Sequence, residues 1–211
     1  RQHSRHFRVD AMNEIERPWN AMPPRAVANL FRAYPGRWWI AGGWSLDLYL
    51  GHPTRLHEDT DVLVLQRDLE HVHALLPGWV IMAADPPGTL RHWIEGETLP
   101  EGTRDIWCRP STSDVWRFQL MVICTEGDRW IFPRDSRLTG EIAQLSDVRE
   151  GIPIIAPEFQ LLYKSRVPHR SRDASDLRRM IPRLSRRRQA WLRERVELLY
   201  PDSPALELLQ L

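Results

Sequence analysis

The chain has 211 residues, 42% of them hydrophobic, and a formal net charge of +1. This size suits one globular domain, or a domain plus a small helical appendage, and the charge gives no global electrostatic case for nucleic acid. The two cysteines, Cys108 and Cys124, are too few for a disulfide framework or a zinc site. No stretch approaches ~18 uninterrupted apolar residues, so we expect no membrane span and a cytoplasmic protein.

The first half of the chain is predicted to begin with a β-α-β unit. The amino end is basic and polar, without the apolar segment of a signal peptide, and residues 1–17 are expected to form a flexible extension. Apolar spacing and turn residues then predict, in order, a helix from Pro24, a strand over 38–41, a helix over 44–50, a strand over 62–65 and a helix over 67–76.

The second half is predicted to hold a meander of strands followed by helices. The strands are expected over 79–83, 90–94, 104–108, 115–124 and 130–132, and the helices over 157–166, 173–184 and 188–200. The fold class is therefore α+β, a mixed sheet with helices on one face. We expect a sheet domain over 18–150 and a carboxyl-terminal helical region over 151–211 that packs on it and walls a cleft.

Residues 38–65 combine two patterns with chemical content. An apolar strand runs into Gly42-Gly43, and a Gly-Gly turn at a helix start leaves backbone N–H groups free to meet phosphates. A second strand begins at Asp59-Thr60-Asp61, where alternation points both carboxylates the same way. Two adjacent carboxylates repel unless a cation lies between them, and magnesium prefers oxygen ligands. The stretch predicts a phosphate cradle beside a metal site.

The sequence of this stretch, AGGWSLDLYLG followed by TRLHEDTDV, resembles that of the nucleotidyltransferase superfamily with the DNA polymerase β-like fold. It is most similar to the aminoglycoside 2''-adenylyltransferase-like and lincosamide nucleotidyltransferase branch. The resemblance implies a nucleotidyltransferase domain over 18–150, ATP as nucleotide donor, two magnesium ions and a small-molecule hydroxyl as acceptor. It also implies a third acidic residue on a neighbouring strand.

Several residues compete to supply that third carboxylate. Asp105 lies in RDIWCRP, which resembles the acid-bearing strand of lincosamide-type members, and it is preferred as the third catalytic and metal-binding residue beside Asp59 and Asp61. Gln119 lies in WRFQLMV, where some relatives have an acid, and an amide neither acts as a base nor holds a divalent ion tightly. Glu95 and Glu97 are lesser candidates.

The nucleotide-binding candidates are Gly42, Gly43, Ser45, Arg55 and Lys164. Arg55 either contacts the triphosphate or pairs with Asp47 or Glu58, and Ser45 either donates to phosphate or caps the helix. Lys164 is carried over from the family resemblance, because APEFQLLYKSR followed by RSRDASD matches the family's helical carboxyl part. His57 and Asp47 are interpreted as side chains that hold the loop.

The expected function is transfer of AMP to a hydroxyl of an aminoglycoside- or lincosamide-type antibiotic. The acidic residues Asp85, Glu95, Glu97 and Glu101 are expected to attract a polycationic aminoglycoside to the cleft. One alternative is a nucleotidyltransferase that acts on protein or tRNA, for which the arginine-rich segment within 178–195 is the support, although such a run is more often a solvated helix face. The other alternative is a catalytically inactive nucleotide-binding module, supported by Gln119.

Overall fold

A mixed sheet forms the centre of the computed structural model, which describes residues 12–167 and 169–210. The strands in the described ranges are β1 (Trp38–Ile40), β2 (Asp61–Leu65), β3 (Val80–Ala83), β4 (Arg91–His92), β5 (Asp105–Arg109), β6 (Phe118–Glu126), β7 (Arg129–Ile131), β8 (Thr139–Glu141), β9 (Ser146–Arg149) and β10 (Ile152–Ile155). The α-helices there are α1 (Met12–Ile15), α2 (Pro24–Leu30), α3 (Gly42–Leu50), α4 (Val72–Leu75), α5 (Pro157–Lys164), α6 (Ser171–Met180), α7 (Arg186–Leu199) and α8 (Ala205–Leu208). Short 3₁₀ turns span Phe31–Ala33, Gln66–His71, Ile142–Leu145 and Ile181–Arg183.

The order of strands places β2 in the middle of the sheet. That order is β4-β3-β5-β6-β2-β1-β10-β9, with β7 on β6 and β8 on β7. β2 pairs antiparallel with β1 and parallel with β6, and β1 pairs parallel with β10. The predicted mixed sheet and α+β class are confirmed, and the carboxyl end of β1 lies beside the start of β2.

Helices cover both faces of the sheet, so the expectation that they lie on one face is wrong. Alternation along β2 sends Leu63 and Leu65 to a core shared with α5, α6 and α7, and sends Val62 and Val64 to a core shared with α2 and α4. The first of these faces also carries Asp61, which precedes Leu63 by two residues. We call it the cleft face.

Two of the predicted limits differ from the structure. The boundary at residue 151 falls in the turn between β9 and β10, which pair antiparallel, so the sheet continues to Ile155 and the helical region begins at Pro157. The expected extension over 1–17 is folded in part, because the Glu14 carboxylate is buried 2.9 Å from the Arg109 guanidinium. The rest of that extension, residues 1–11, lies outside the described residues.

The strands over 139–155 were not predicted from the sequence. These strands are short, and Gly140 and Pro153 interrupt their apolar pattern, so the sequence gives only a weak indication of them. Ile154 nevertheless pairs with Ile40, which extends the sheet beyond β1 and leads the chain directly into α5. Among the described residues no helix is long and apolar enough to cross a membrane.

Candidate active site

Asp59 and Asp61 both line a cleft of about 330 Å³ at the amino end of β2. Asp61 is the first residue of the strand, and Asp59 stands two residues before it. Burial, followed by the nearby Asp59 carboxylate, raises the pKa of Asp61 to about 7. The structure therefore brings the two predicted carboxylates together in one cleft, where each repels the other. We call this pair the acidic edge.

Position 42 requires a glycine because its backbone lies very close to the acidic edge. Its φ is +64°, and a Cβ at this position would lie 2.1 Å from Oδ2 of Asp61, so a side chain would meet both backbone strain and a clash. The Gly42 N–H donates to Oε1 of Gln160 at 2.8 Å. Of the two backbone N–H groups expected to face phosphate, that of Gly42 is thus already bonded within the protein.

Ser45 does not reach the cleft. The helix α3 begins at Gly42 rather than at the predicted residue 44, with Ala41 as its N-cap, so Ser45 lies within the first turn. Its hydroxyl donates to the Gly42 carbonyl at 2.9 Å, and the residue is 1% exposed. Neither proposed role, phosphate donor or helix cap, has geometric support.

The loop that leads to the acidic edge is fixed by Asp47. One oxygen of its carboxylate lies 2.6 Å from His57 Nε2 and accepts from the Thr54 N–H at 3.0 Å. The other accepts from the Thr54 hydroxyl at 2.6 Å. These contacts lower the pKa of Asp47 against the opposing effect of its burial. The interpretation of His57 and Asp47 as loop-holding residues is confirmed.

Lys164 lies in the cleft wall, held by two carboxylates from α6. Its ammonium is 2.9 Å from Asp173 Oδ1 and 3.0 Å from Asp176 Oδ2, and all three residues are buried. Arg55 also pairs with Asp176, at 3.3 Å. The predicted partners of Arg55, Asp47 and Glu58, are therefore wrong, because the true partner is distant in sequence and is brought in by α6.

The remaining cleft residues add more positive charge. The full lining is Gly42, Gly43, Arg55, Asp59, Asp61, Gln119, Met121, Arg134, Gln160, Tyr163, Lys164, Arg170 and Arg172. We call its five cationic members, Arg55, Arg134, Lys164, Arg170 and Arg172, the cationic wall. Sequence reasoning missed Arg134, Gln160 and Arg170 as site residues. Arg134 donates to the Tyr163 carbonyl at 2.7 Å, and local sequence patterns do not predict a contact between residues so far apart in the chain.

The position nearest to Asp61 on the neighbouring strand is an amide. Gln119 on β6 pairs in register with Asp61, and its Nε2 donates to Asp105 Oδ1 at 2.8 Å. Asp105 lies on β5, one strand further, and its pKa is raised by burial against the opposing effect of the Gln119 bond. Over the described residues, no three His, Cys, Asp or Glu side chains group as metal ligands. Asp105 is not among the residues that line the cleft, and Gln119 lies between it and the acidic edge.

The acidic residues expected to attract a polycation lie elsewhere. Arg91 on β4 is held by Asp85 at 2.8 Å and by Glu97 at 2.7 Å, at the far edge of the sheet. Neither these two carboxylates nor Glu95 and Glu101 belong to the cleft lining. The expectation that they draw a polycation into the cleft is wrong, and Glu95 and Glu97 are removed as third-carboxylate candidates.

The donor set fits a hard divalent cation. Carboxylate oxygens are the ligands that magnesium prefers, and it commonly takes one or two of them together with substrate phosphates. The raised pKa of Asp61 marks a half-buried negative pair that a cation would stabilise. Asp59 and Asp61 are therefore the residues that would hold magnesium, and the cationic wall lies within reach of phosphates bound to it.

A glycine helix start beside an Asp-x-Asp strand edge, on a mixed sheet with a basic cleft wall, defines a nucleotidyltransferase. The sequence model of the aminoglycoside-2''-adenylyltransferase family matches residues 25–180, so the chain belongs to that family. No curated protein matches the chain.

Solved structures of low sequence identity share the fold. The lincomycin-bound lincosamide antibiotic adenylyltransferase LnuA has a TM-score of 0.53 at 19% identity, over 74% of this chain and 95% of that one. The antibiotic-resistance factor ANT(2'')-Ia, solved in solution, has a TM-score of 0.53 at 15% identity, over 82% of this chain and 88% of that one. These likenesses show the nucleotidyltransferase fold.

Proposed function

We propose that the protein transfers AMP from ATP to a hydroxyl group of a small molecule, in a magnesium-dependent reaction. The observation that carries the proposal is that the acidic edge and the cationic wall line the same cleft. Metal-bound phosphates need carboxylates on one side and cations on the other, and one cleft supplies both.

The cationic wall binds and orients the triphosphate. Arg55 and Arg170 present guanidinium groups that fork onto phosphate oxygens, and Lys164 adds a fixed ammonium. Because Asp173 and Asp176 hold Lys164 in place, little side-chain entropy is lost when a phosphate arrives. Such fixed charges contribute to in-line transfer by orienting the reacting groups.

Asp59 and Asp61 would hold the magnesium ions. When bound, two magnesium ions stabilise both the attacking and the leaving oxygens of a phosphoryl displacement. Gly42 keeps the helix start close to Asp61, since any side chain would displace the carboxylate. Asp105, which lies beside Gln119 just outside the cleft lining, is proposed as the third acid, reached when Gln119 turns its amide away.

The proposed acceptor is an antibiotic of the aminoglycoside or lincosamide type. The family is named for aminoglycoside-2''-adenylyltransferases, and LnuA, which shares the fold, is lincomycin-bound in its crystal structure. Among the described residues, Asp59 and Asp61 are the only carboxylates that line the cleft, so the cleft offers few acids to a polycation. A less charged acceptor, as in the lincosamide class, agrees better with the basic wall.

The test is magnesium-dependent release of pyrophosphate from ATP across a panel of aminoglycosides and lincosamides. Asp61→Asn, which keeps the shape of the side chain and removes its charge, is the control. We expect pyrophosphate release with one drug class. We expect this release to disappear in the Asp61→Asn variant and when magnesium is omitted. Equal release from the wild type and the variant would overturn the proposal.

The second candidate function is nucleotide binding without turnover, and the pairing of Gln119 with Asp61 favours it. This module would bind ATP and magnesium tightly yet release no pyrophosphate with any acceptor. The alternative that acts on protein or tRNA has less support, because several arginines of the segment 178–195 pair with acids of this chain. Arg188 pairs with Asp147 at 2.8 Å, and Arg193 pairs with Glu197 at 2.7 Å.

A further inference from the structure

A second cavity, of about 340 Å³, lies where α5 and α7 begin beside the β7–β8 hairpin. We call it the α7 cavity. Its lining residues are Trp130, Gln144, Glu158, Phe159, Ser185, Arg187, Arg188 and Trp191. None of them belongs to the catalytic cleft, and the volume is at the lower end of small-molecule sites, which begin at about 300 Å³.

Three aromatic rings give the α7 cavity apolar walls. Trp130 and Phe159 meet edge to face with centroids 4.9 Å apart, and Trp191 lies 6.3 Å from Phe159. The Arg195 guanidinium lies over one face of Trp191, 4.2 Å from the ring centroid. Rings arranged in this way contact flat aromatic molecules through offset or edge-to-face packing.

A buried hydrogen-bond donor lacks a partner in the same wall. Trp130 is 1% exposed, and its Nε1 has no hydrogen-bond partner among the described residues. The indole edge that carries Nε1 faces Gly140 and Gln144, since a Cβ on Gly140 would lie 2.8 Å from Cε2 of Trp130 and 2.9 Å from Oε1 of Gln144. A buried donor without an acceptor costs about 1–3 kcal/mol, so an acceptor atom at this wall would be favourable.

Positive charge gathers at the mouth of the α7 cavity. Ser185 caps α7, and the first helical turn holds three arginines, Arg186, Arg187 and Arg188, and no acid. Helix amino termini favour anions, so these cations oppose the dipole. Arg188 is matched by Asp147 and Glu158, at 2.8 and 3.2 Å. In the described parts of the chain, no carboxylate lies within salt-bridge distance of Arg187.

We propose that the α7 cavity binds a small flat aromatic anion, with its ring among Trp130, Phe159 and Trp191 and its anionic group at Arg187 and the start of α7. The anionic group is a carboxylate or a phosphate. An oxygen of the ligand accepts the hydrogen bond of Trp130 Nε1. The single carboxylate in the lining, Glu158, does not oppose an anion because Arg188 neutralises it.

The experiment follows the indole N–H resonance of Trp130 in the ¹⁵N-labelled full chain, assigned by its loss in Trp130→Phe. Salicylate and AMP are the two anionic probes, and benzyl alcohol and adenosine are their neutral counterparts. We expect an anionic probe to shift the Trp130 resonance and its neutral counterpart to leave it unchanged. A shift with salicylate alone identifies an aromatic carboxylate site, and one with AMP alone identifies a nucleotide phosphate site.

Calorimetric titration then tests the residues. Arg187→Ala is expected to weaken the anionic probe about ten-fold, as for a charge-assisted contact, and Trp130→Phe about five-fold, as for one hydrogen bond. Arg37→Ala removes another exposed arginine, which lies outside the cavity, and is expected to change affinity less than two-fold. The proposal is overturned if neither anion shifts the resonance at about 10 mM, if the neutral probes bind equally well, or if Arg37→Ala and Arg187→Ala weaken binding equally. Binding is read without turnover, so failure of the proposed catalytic function leaves this test intact.

Discussion

The two sides of the catalytic cleft are built in different ways. The acidic edge and its glycine come from one continuous stretch, in which β1, α3 and β2 follow each other directly. The cationic wall is assembled from a loop before β2, the segment after β7, and helices α5 and α6. Local strand alternation fixes the first side, whereas tertiary packing of the carboxyl helices fixes the second.

The largest expected effect concerns the acidic edge. Asp61→Asn keeps the volume of the side chain but removes half of the charge that would hold magnesium, so we expect nucleotidyl transfer to fall by at least about 10³-fold. Pyrophosphate release at saturating ATP measures this. A loss of less than ten-fold would show that the acidic edge is not the catalytic side of the cleft.

Gln119→Asp sharpens the comparison by adding a carboxylate in register with Asp61. If proton removal from the acceptor limits the rate, a general base at this position should raise turnover by about 100-fold. The isosteric control is Gln119→Asn, which changes length equally without adding charge. Equal rates in the two variants would mean that Asp105, or the acceptor itself, already supplies the base.

Lys164→Met tests the cationic wall. It leaves Asp173 and Asp176 buried with one cation fewer, so we expect the free energy of unfolding to fall by about 2–3 kcal/mol and ATP affinity to fall as well. Lys164→Arg keeps the charge and should retain most of the stability. Urea unfolding gives the first quantity and calorimetry the second. An unchanged free energy of unfolding in Lys164→Met would show that the contacts of Lys164 with Asp173 and Asp176 do not stabilise the fold.

Gln160→Leu has the smallest expected effect, because it breaks one hydrogen bond between the two sides. The Gly42 N–H would lose its acceptor, which costs about 1 kcal/mol of stability. Gln160→Glu preserves the acceptor oxygen and serves as the matched control. If both variants unfold at the same urea concentration as the wild type, the Gln160–Gly42 bond does not hold α5 to the acidic edge.

The sequence predicted the acidic side well because its determinants are local. Strand alternation gave the shared direction of Asp59 and Asp61, and the Gly-Gly pair gave the close approach at Gly42. Ser45 was misplaced because α3 begins two residues earlier than the pattern indicated. The hydrophobic periodicity of a sequence locates the ends of a helix less well than its middle.

The cationic side was harder to predict because its contacts span long stretches of chain. Arg55 was given partners next to it in sequence, yet it pairs with Asp176 on α6. Gln160 gave no signal at all, since its role is to accept one backbone N–H from Gly42. Lys164 was found through the resemblance of its helix to the family rather than through its own chemistry.

The most direct test of the account is transfer of label from ATP to the acceptor. Wild-type protein is incubated with magnesium, a lincosamide or an aminoglycoside, and ATP labelled at either the α- or the γ-phosphate. We expect the antibiotic to acquire label from the α-phosphate alone, with a mass increase of one adenylyl group. Label from the γ-phosphate would show phosphoryl transfer instead, and would contradict the account.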